Sequence, residues 1–310
     1  MAGRLGAGRI EGPEAQLALE RAALRAEACL DETHTARPSQ DQFEALEPPA
    51  VRSVLDRVLM GSRPADGLEA LHEGGALAAL LPEVEALVGF SDAEWRHKDV
   101  WKHTKQVVEQ SVCLLGVRWG ALLHDIGKVK TRRIEPNGEV HFIGHAEVGA
   151  RMFDKLARRS RWFASDPALR DQVRFLIRHH LRASQYDGTW TDGAVRRFAR
   201  EMGAYLEDLL NLSRADITTK RPEKRRRGIA LIDELAARIT ELAAEDAVVP
   251  PLPSGFGNHL MQHFDLPPSK RIGEIKQALE SAVQAGELEP HQDAEYYLRF
   301  VSEHRAKFGL

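Results

Sequence analysis

The sequence predicts an all-α fold: a helical bundle with helical segments before and after it. Three observations carry this. Apolar residues recur at the 3.6-residue period of an amphipathic helix in segment after segment. Period-two alternation is confined to one short stretch near Asn137-Gly138. Histidines and aspartates recur on or beside the apolar faces of several of these helices, and a bundle can gather such groups at one point of its core.

Taken in order, the Gly- and Arg-rich residues 1–12 have no periodicity and read as a disordered tail. Residues 13–98 form an N-terminal helical region. In it, Pro13 to Cys29 favours helix through Ala, Leu, Glu and Arg, and a polar stretch separates it from Ala50 to Met60 and Pro64 to Leu81. Pro82 is expected to end the last of these. Asp99 can N-cap a helix whose inner face carries Val100, Thr104, Val107, Val108 and Leu115, with His103 beside it. A second helix, Arg118 to Ile126, carries His124-Asp125 in its last turn and is expected to end in a left-handed cap at Gly127. Asn137-Gly138, between Arg133-Ile134 and Val140-Phe142, fits a short hairpin. A helix from about Gly144 buries Val148, Met152 and Leu156 and puts His145 in its first turn. Asp166-Pro167 starts another, with Val173, Leu176 and Ile177 inward and His179-His180 at its end. Leu206 to Asp216 aligns Leu206, Leu209, Leu210 and Ser213 with Asp216. A further helix then leads to the Pro/Gly-rich VVPPLPSGFG, where a boundary near Val248 divides a core domain of residues 99–247 from a small helical appendage, 248–310.

Composition narrows the function classes. With 43% hydrophobic residues and no apolar run of the roughly 18–20 residues a membrane helix needs, the chain reads as soluble. Its N-terminus lacks the apolar core of a secretory signal, so the expected address is the cytoplasm, with no membrane partner. Two cysteines, Cys29 and Cys113, make neither a disulfide framework nor a thiolate metal site, and are expected to be buried or idle. Thirteen histidines direct any metal chemistry to imidazole and carboxylate ligands. A net charge of −3 gives no extended cationic track for duplex DNA, although Lys220 to Arg227 packs six basic residues and one acid into eight positions. Oligomeric state is not readable from the sequence.

The chemistry-bearing set is His103, His124-Asp125, His145, His179-His180 and Asp216, on five segments. One histidine on an apolar face reads as a hydrogen-bonded core residue. The same behaviour repeated on five segments points to a shared metal, because convergent ligands offset the desolvation of inward polar groups. Lys128, one turn beyond the pair, suits a phosphate oxygen or is a solvated cation near a helix end. The same two readings apply to Lys220, Arg221, Arg225 and Arg226. Trp95, Trp101, Trp119, Trp162 and Trp190 fit core packing, with base stacking as the alternative.

The segment ALLHDIGKVKTR (Ala121 to Arg132) resembles the defining motif of the HD superfamily of metal-dependent phosphohydrolases. Histidine 103 in WKHT and Asp216 in SRADITTK stand where that family's outer ligands are expected. The resemblance implies that His103, His124, Asp125 and Asp216 hold one ion. It implies that His145, in FIGHAEVGA, with His179 or His180, in IRHHLR, holds a second, Asp125 bridging. The implied cofactor is a divalent transition metal, Mn, Fe, Co, Ni or Zn, as two ions. The implied catalytic residues are His124, Asp125 and Lys128, with Lys128, Lys220, Arg221, Arg225 and Arg226 meeting the substrate. Flanking segments, SRPADGLEALHEGGALAALLPEV and PLPSGFGNHLMQHFDLPPSKRIGEIKQALESAVQAGEL, are similar to those of bacterial tRNA nucleotidyltransferases and poly(A) polymerases that carry an HD domain. No nucleotidyltransferase head is recognisable in the fewer than 50 residues before them, so nucleotide polymerisation is not expected. The implied activity is a phosphomonoesterase or 2′,3′-cyclic phosphodiesterase acting on a phosphorylated small molecule, nucleotide or RNA end. The alternatives are an RNA-binding module with a structural metal and diiron oxygenase chemistry on the same scaffold.

Overall fold

A computed structural model of the chain describes residues 14–28, 37–90, 99–247 and 250–310. The expectations for the 1–12 tail, Cys29, Trp95 and a boundary near Val248 lie outside these residues. The described residues are helical apart from turns, loops and one two-stranded hairpin. Among them no helix is long and apolar enough to cross a membrane. The chain divides into two compact units, Met1–Thr240 and Glu241–Leu310.

The first unit opens with α1 (Glu14–Ala26), α2 (Gln40–Glu44), α3 (Pro48–Met60), α4 (Pro64–Glu73), α5 (Ala76–Leu80) and α6 (Pro82–Glu85). The helix expected over Pro64 to Leu81 is thus two, broken at Gly74-Gly75, where Gly75 takes φ 78°. Pro82 starts a helix at its first position rather than merely ending one, because the amide hydrogen it lacks would have no intrahelical partner there. Next come α7 (Val100–Gln110), α8 (Leu115–Leu123), α9 (Lys128–Thr131), strands β1 (Arg133–Ile134) and β2 (Val140–His141), and α10 (His145–Ser160). The Asp99 side chain accepts from the Lys102 amide at 3.0 Å and caps α7 as expected. Leu115 belongs to α8, not α7, because the chain leaves the helix at Ser111. The hairpin pairs Ile134 with Val140, and Gly138 takes the positive φ its turn requires, 81°. The unit continues with α11 (Pro167–His179), α12 (Asp192–Met202), α13 (Leu206–Asp216) and α14 (Pro222–Ala247), which runs on past Thr240. Asp166 caps α11 through the Leu169 amide at 3.0 Å.

Helix α8 is the axis of this unit: every residue from Gly116 to Leu123 is buried. It packs against α3, α7, α11 and α13. Two of its glycines set how close α11 comes. A Cβ on Gly116 would fall 2.1 Å from the Gln172 side-chain oxygen, and one on Gly120 would fall 3.0 Å from Leu176 Cδ1. Gly116, Gly120 and His124 are spaced four apart, as are Gln172, Leu176 and His180. The close approach at the first two pairs brings the third pair into edge-to-face contact, ring centroids 5.2 Å apart.

The second unit holds α15 (Phe256–Phe264), α16 (Lys270–Gln284), α17 (Ala294–Glu303) and α18 (Arg305–Phe308). They close over a core that includes Phe256, Leu260, Leu279, Tyr297 and Val301. The Tyr297 hydroxyl donates to the Pro251 carbonyl at 2.8 Å, which satisfies its polar end inside that core.

Candidate metal centre

Five segments deliver polar side chains to the C-terminal end of α8: His103 from α7, His124-Asp125 just past α8, His145 from the first turn of α10, His180 at the end of α11, and Asp216 at the end of α13. The expected left-handed cap at Gly127 is absent; Gly127 is right-handed, φ −69°. Glycine is needed there for space instead, since a Cβ would lie 2.0 Å from the His145 carbonyl oxygen and 2.7 Å from the Gly149 nitrogen. That contact brings the start of α10, and His145 with it, against the His-Asp pair.

The geometry makes two groups that share Asp125. His103, His124 and Asp125 form one; Asp125, His145 and His180 form the other. Asp125 Oδ2 lies 3.2 Å from His124 Nε2 and 3.5 Å from His103 Nε2, and Oδ1 lies 3.4 Å from His145 Nε2 and 3.9 Å from His180 Nε2. Asp216 Oδ1 flanks the first group, 3.0 Å from His103 Nε2 and 3.6 Å from His124 Nε2.

Tautomers decide what these groups can hold. The Nδ1–H groups of His124, His145 and His180 donate to the carbonyls of Ala121, Phe142 and Ile177, each at 2.8 Å and each three residues back. A carbonyl only accepts, so the neutral imidazoles are unprotonated at Nε2. Those bare nitrogens face one another, His145 to His180 at 3.2 Å, while His124 Nε2 meets His103 Nε2 at 3.3 Å. Lone pairs so placed repel unless a cation lies between them. Two imidazoles on one ion, with metal–nitrogen bonds of about 2.0–2.1 Å, stand roughly 3.0–3.4 Å apart, so the donor set fits a transition metal. His103 Nδ1 is held by Thr218 Oγ1 at 2.8 Å.

The charges of the cluster act strongly on one another, and its two carboxylates call for a cation. Burial opposes ionisation of Asp125, yet the adjacent His124 and the Lys128 ammonium hold its carboxyl well below the usual range. Burial likewise opposes ionisation of Asp216, and His103 and His124 override it. Burial also disfavours a charged His124, but Asp125 and Asp216 raise it above its ordinary value. His180 goes the other way: burial first, then the charge of His124, push it down to about 4. Lys128 Nζ touches Asp125 Oδ2 at 2.5 Å, a charge-assisted contact.

Of the adjacent pair the structure turns His180 inward and leaves His179 outside. Consecutive helical positions point about 100° apart, so both cannot face the cluster. The His179 ring packs on Phe175 at 4.3 Å, and burial together with Arg178 and Arg182 lowers its pKa. A cavity of about 290 Å³ adjoins the first group, lined among others by His103, Lys128, Phe142, Asp216, Thr218 and Thr219. Lys220, Arg221, Arg225 and Arg226 are exposed, and none lines it. Trp101, Trp119 and Trp162 are buried in the core, and Trp190 packs between Tyr186 and Phe198. Cys113 is exposed, with its sulfur 3.7 Å from the Met60 carbonyl, rather than buried. Thr218 and Phe142 carry no periodic signal and were not legible as site residues.

Residues 100–238 match the HD domain. A CC-adding tRNA nucleotidyltransferase of Thermus thermophilus is 31% identical over 257 residues, 81% of this chain and 56% of the relative. An A-adding tRNA nucleotidyltransferase of Deinococcus radiodurans is 30% identical, over 80% of this chain and 57% of the relative. A multifunctional CCA protein of Alkalilimnicola ehrlichii is 34% identical over 148 residues, 46% of this chain. The chain spans about half the length of the first two. The paired histidine groups around one aspartate therefore lie in an HD domain, the fold of a superfamily of metal-dependent hydrolases, within a chain that resembles the HD-containing region of bacterial tRNA nucleotidyltransferases.

Proposed function

We propose that this chain is a metal-dependent phosphoric ester hydrolase, a phosphomonoesterase or 2′,3′-cyclic phosphodiesterase acting on nucleotides or RNA ends in the cytoplasm. The observation that carries the reading is the Asp125 carboxylate, set between two imidazole groups with one oxygen toward each. Divalent ions such as Mn, Fe, Co, Ni or Zn, two by the number of donor groups, would supply a water nucleophile at neutral pH and neutralise charge on the phosphoryl oxygens. His103, His124, Asp125 and Asp216 would hold one and Asp125, His145 and His180 the other. The carbonyls of Ala121, Phe142 and Ile177 orient three of the rings, and Thr218 orients His103. Lys128 presents a cation to the cavity, where it can meet a phosphoryl oxygen. A cavity of about 290 Å³ suits a compact phosphate ester and leaves no room for a duplex. Relatives named for tRNA support an RNA end or a nucleotide as the substrate class.

Metal analysis of the purified protein, with a phosphatase and phosphodiesterase panel run with added Mn, Ni or Co, tests this. Bound transition metal and metal-dependent release of phosphate, best on 2′,3′-cyclic AMP or 2′-AMP among the nucleotides, are expected. Full activity in chelated, metal-free protein would overturn it. Metal without turnover, combined with tight RNA binding, would favour the binding-module reading instead.

A further inference from the structure

We infer that Phe142 is a stacking platform for the base of the substrate, so that the chain selects nucleoside phosphates over phosphate esters that lack a ring. The inference rests on the phosphohydrolase reading of the metal centre.

Phe142 follows directly on strand β2, and its carbonyl accepts the His145 Nδ1–H at 2.8 Å. Its backbone is therefore tied to the metal centre. The side chain does not join the buried core: Phe142 is half-buried and lines the cavity next to the first histidine group. Lys128 links ring and centre. Its Nζ lies 2.5 Å from Asp125 Oδ2 and 5.6 Å from the centre of the Phe142 ring, so ring and carboxylate are within about 8 Å of each other, the two legs laid end to end. A base stacked on the ring and a phosphate beside the carboxylate, joined by one ribose, fit inside that limit. Phe90 packs on the ring at a 54° tilt, centroids 6.1 Å apart, and in turn carries the Arg132 guanidinium at 5.4 Å. An aromatic side chain in a cavity that also holds Lys128 and His103 of the first histidine group offers a flat apolar surface beside a cation for a phosphoryl oxygen. A nucleoside phosphate has the matching halves. A purely structural Phe142 would brace the hairpin through Phe90 and show no preference among phosphate esters.

The test compares wild type, Phe142→Leu and Phe142→Trp as full-length, metal-loaded protein on adenosine 2′,3′-cyclic phosphate, adenosine 2′-monophosphate and glycerol 2-phosphate. In Phe142→Leu, the ratio of kcat/KM for either nucleotide to that for glycerol 2-phosphate is expected to fall about 5- to 150-fold, the range of base-on-aromatic stacking, with the change in KM. Phe142→Trp is expected to restore the ratio. A parallel loss on all three esters would reveal a structural role acting through His145, and an unchanged ratio would remove the platform. Calorimetric binding needs no turnover: wild type should bind adenosine 2′-monophosphate more tightly than inorganic phosphate, and Phe142→Leu should close that gap. Equal affinities in wild type would sink the inference. Absence of metal or of any phosphoesterase activity in wild type would instead count against the underlying reading.

Discussion

Substituting Gly127 by alanine sets local and tertiary physics against each other. Gly127 has φ −69° and ψ −20°, a conformation alanine adopts freely. Judged on the backbone alone, Gly127→Ala should stabilise the protein by about 0.4–1 kcal/mol, by restricting the unfolded chain. The tertiary structure predicts the opposite sign. The new Cβ would stand 2.0 Å from the His145 carbonyl oxygen and 2.7 Å from the Gly149 nitrogen, both backbone atoms of α10 that cannot turn away. Reaching even a 3.0 Å contact needs a movement of 1.0 Å, which carries the first turn of α10 and His145 from the Asp125 group. Overpacking of this kind costs about 1–3 kcal/mol. For a unit of this size that lowers Tm by about 2–12 °C. Metal–ligand distances tolerate only about 0.2 Å, so the ion held by His145 should be lost first. Gly273 is the control: it lies inside α16 with nothing within 4 Å of a built Cβ, so Gly273→Ala should raise stability or leave it unchanged. Thermal melts of the three proteins, with metal content by mass spectrometry, decide. A Gly127→Ala protein with wild-type Tm and metal content would refute the close-approach argument.

Three further outcomes follow from the same geometry. His180→Ala should remove the ion of the Asp125–His145–His180 group, whereas His179→Ala should leave metal stoichiometry intact; equal losses would mean that His180 does not face the cluster. In chelated protein, His180 is neutral in the fold to about pH 4, while in the unfolded chain it takes up a proton near 6.5. Its contribution is therefore present above pH 6.5 and lost as pH falls toward 4, about 3 kcal/mol in all, with His124 acting in the opposite sense because its pKa is raised. The stability of His180→Leu relative to wild type should accordingly improve by about that amount between pH 7 and pH 4, and a flat difference in urea midpoints would contradict it. Reversing Arg225 and Arg226 to glutamate should lower the ratio of kcat/KM for a cyclic-phosphate-ended RNA to that for a small chromogenic ester, and weaken its salt dependence, because both side chains are exposed beyond the cavity. No change in that ratio would make the basic run a solvated face.

Much of this protein was legible in its sequence. Amphipathic periodicity, the Asp99 and Asp166 caps and the Asn137-Gly138 turn are local signals, set by backbone geometry and by hydrogen bonds a few residues long, and the caps and the turn stand where the sequence put them. The recurrence of His and Asp beside apolar faces identified the cluster because burying so many polar groups without a common partner is costly. Tertiary structure alone decided the rest. Which of His179 and His180 turns inward depends on how closely α11 approaches Gly116 and Gly120. Why Gly127 must be glycine depends on α10, eighteen residues away at His145, and not on its own φ. Phe142 and Thr218 belong to the site through contacts with His145 and His103. Such roles are distances between elements, and the periodicity of a single segment carries no record of what another segment brings to it.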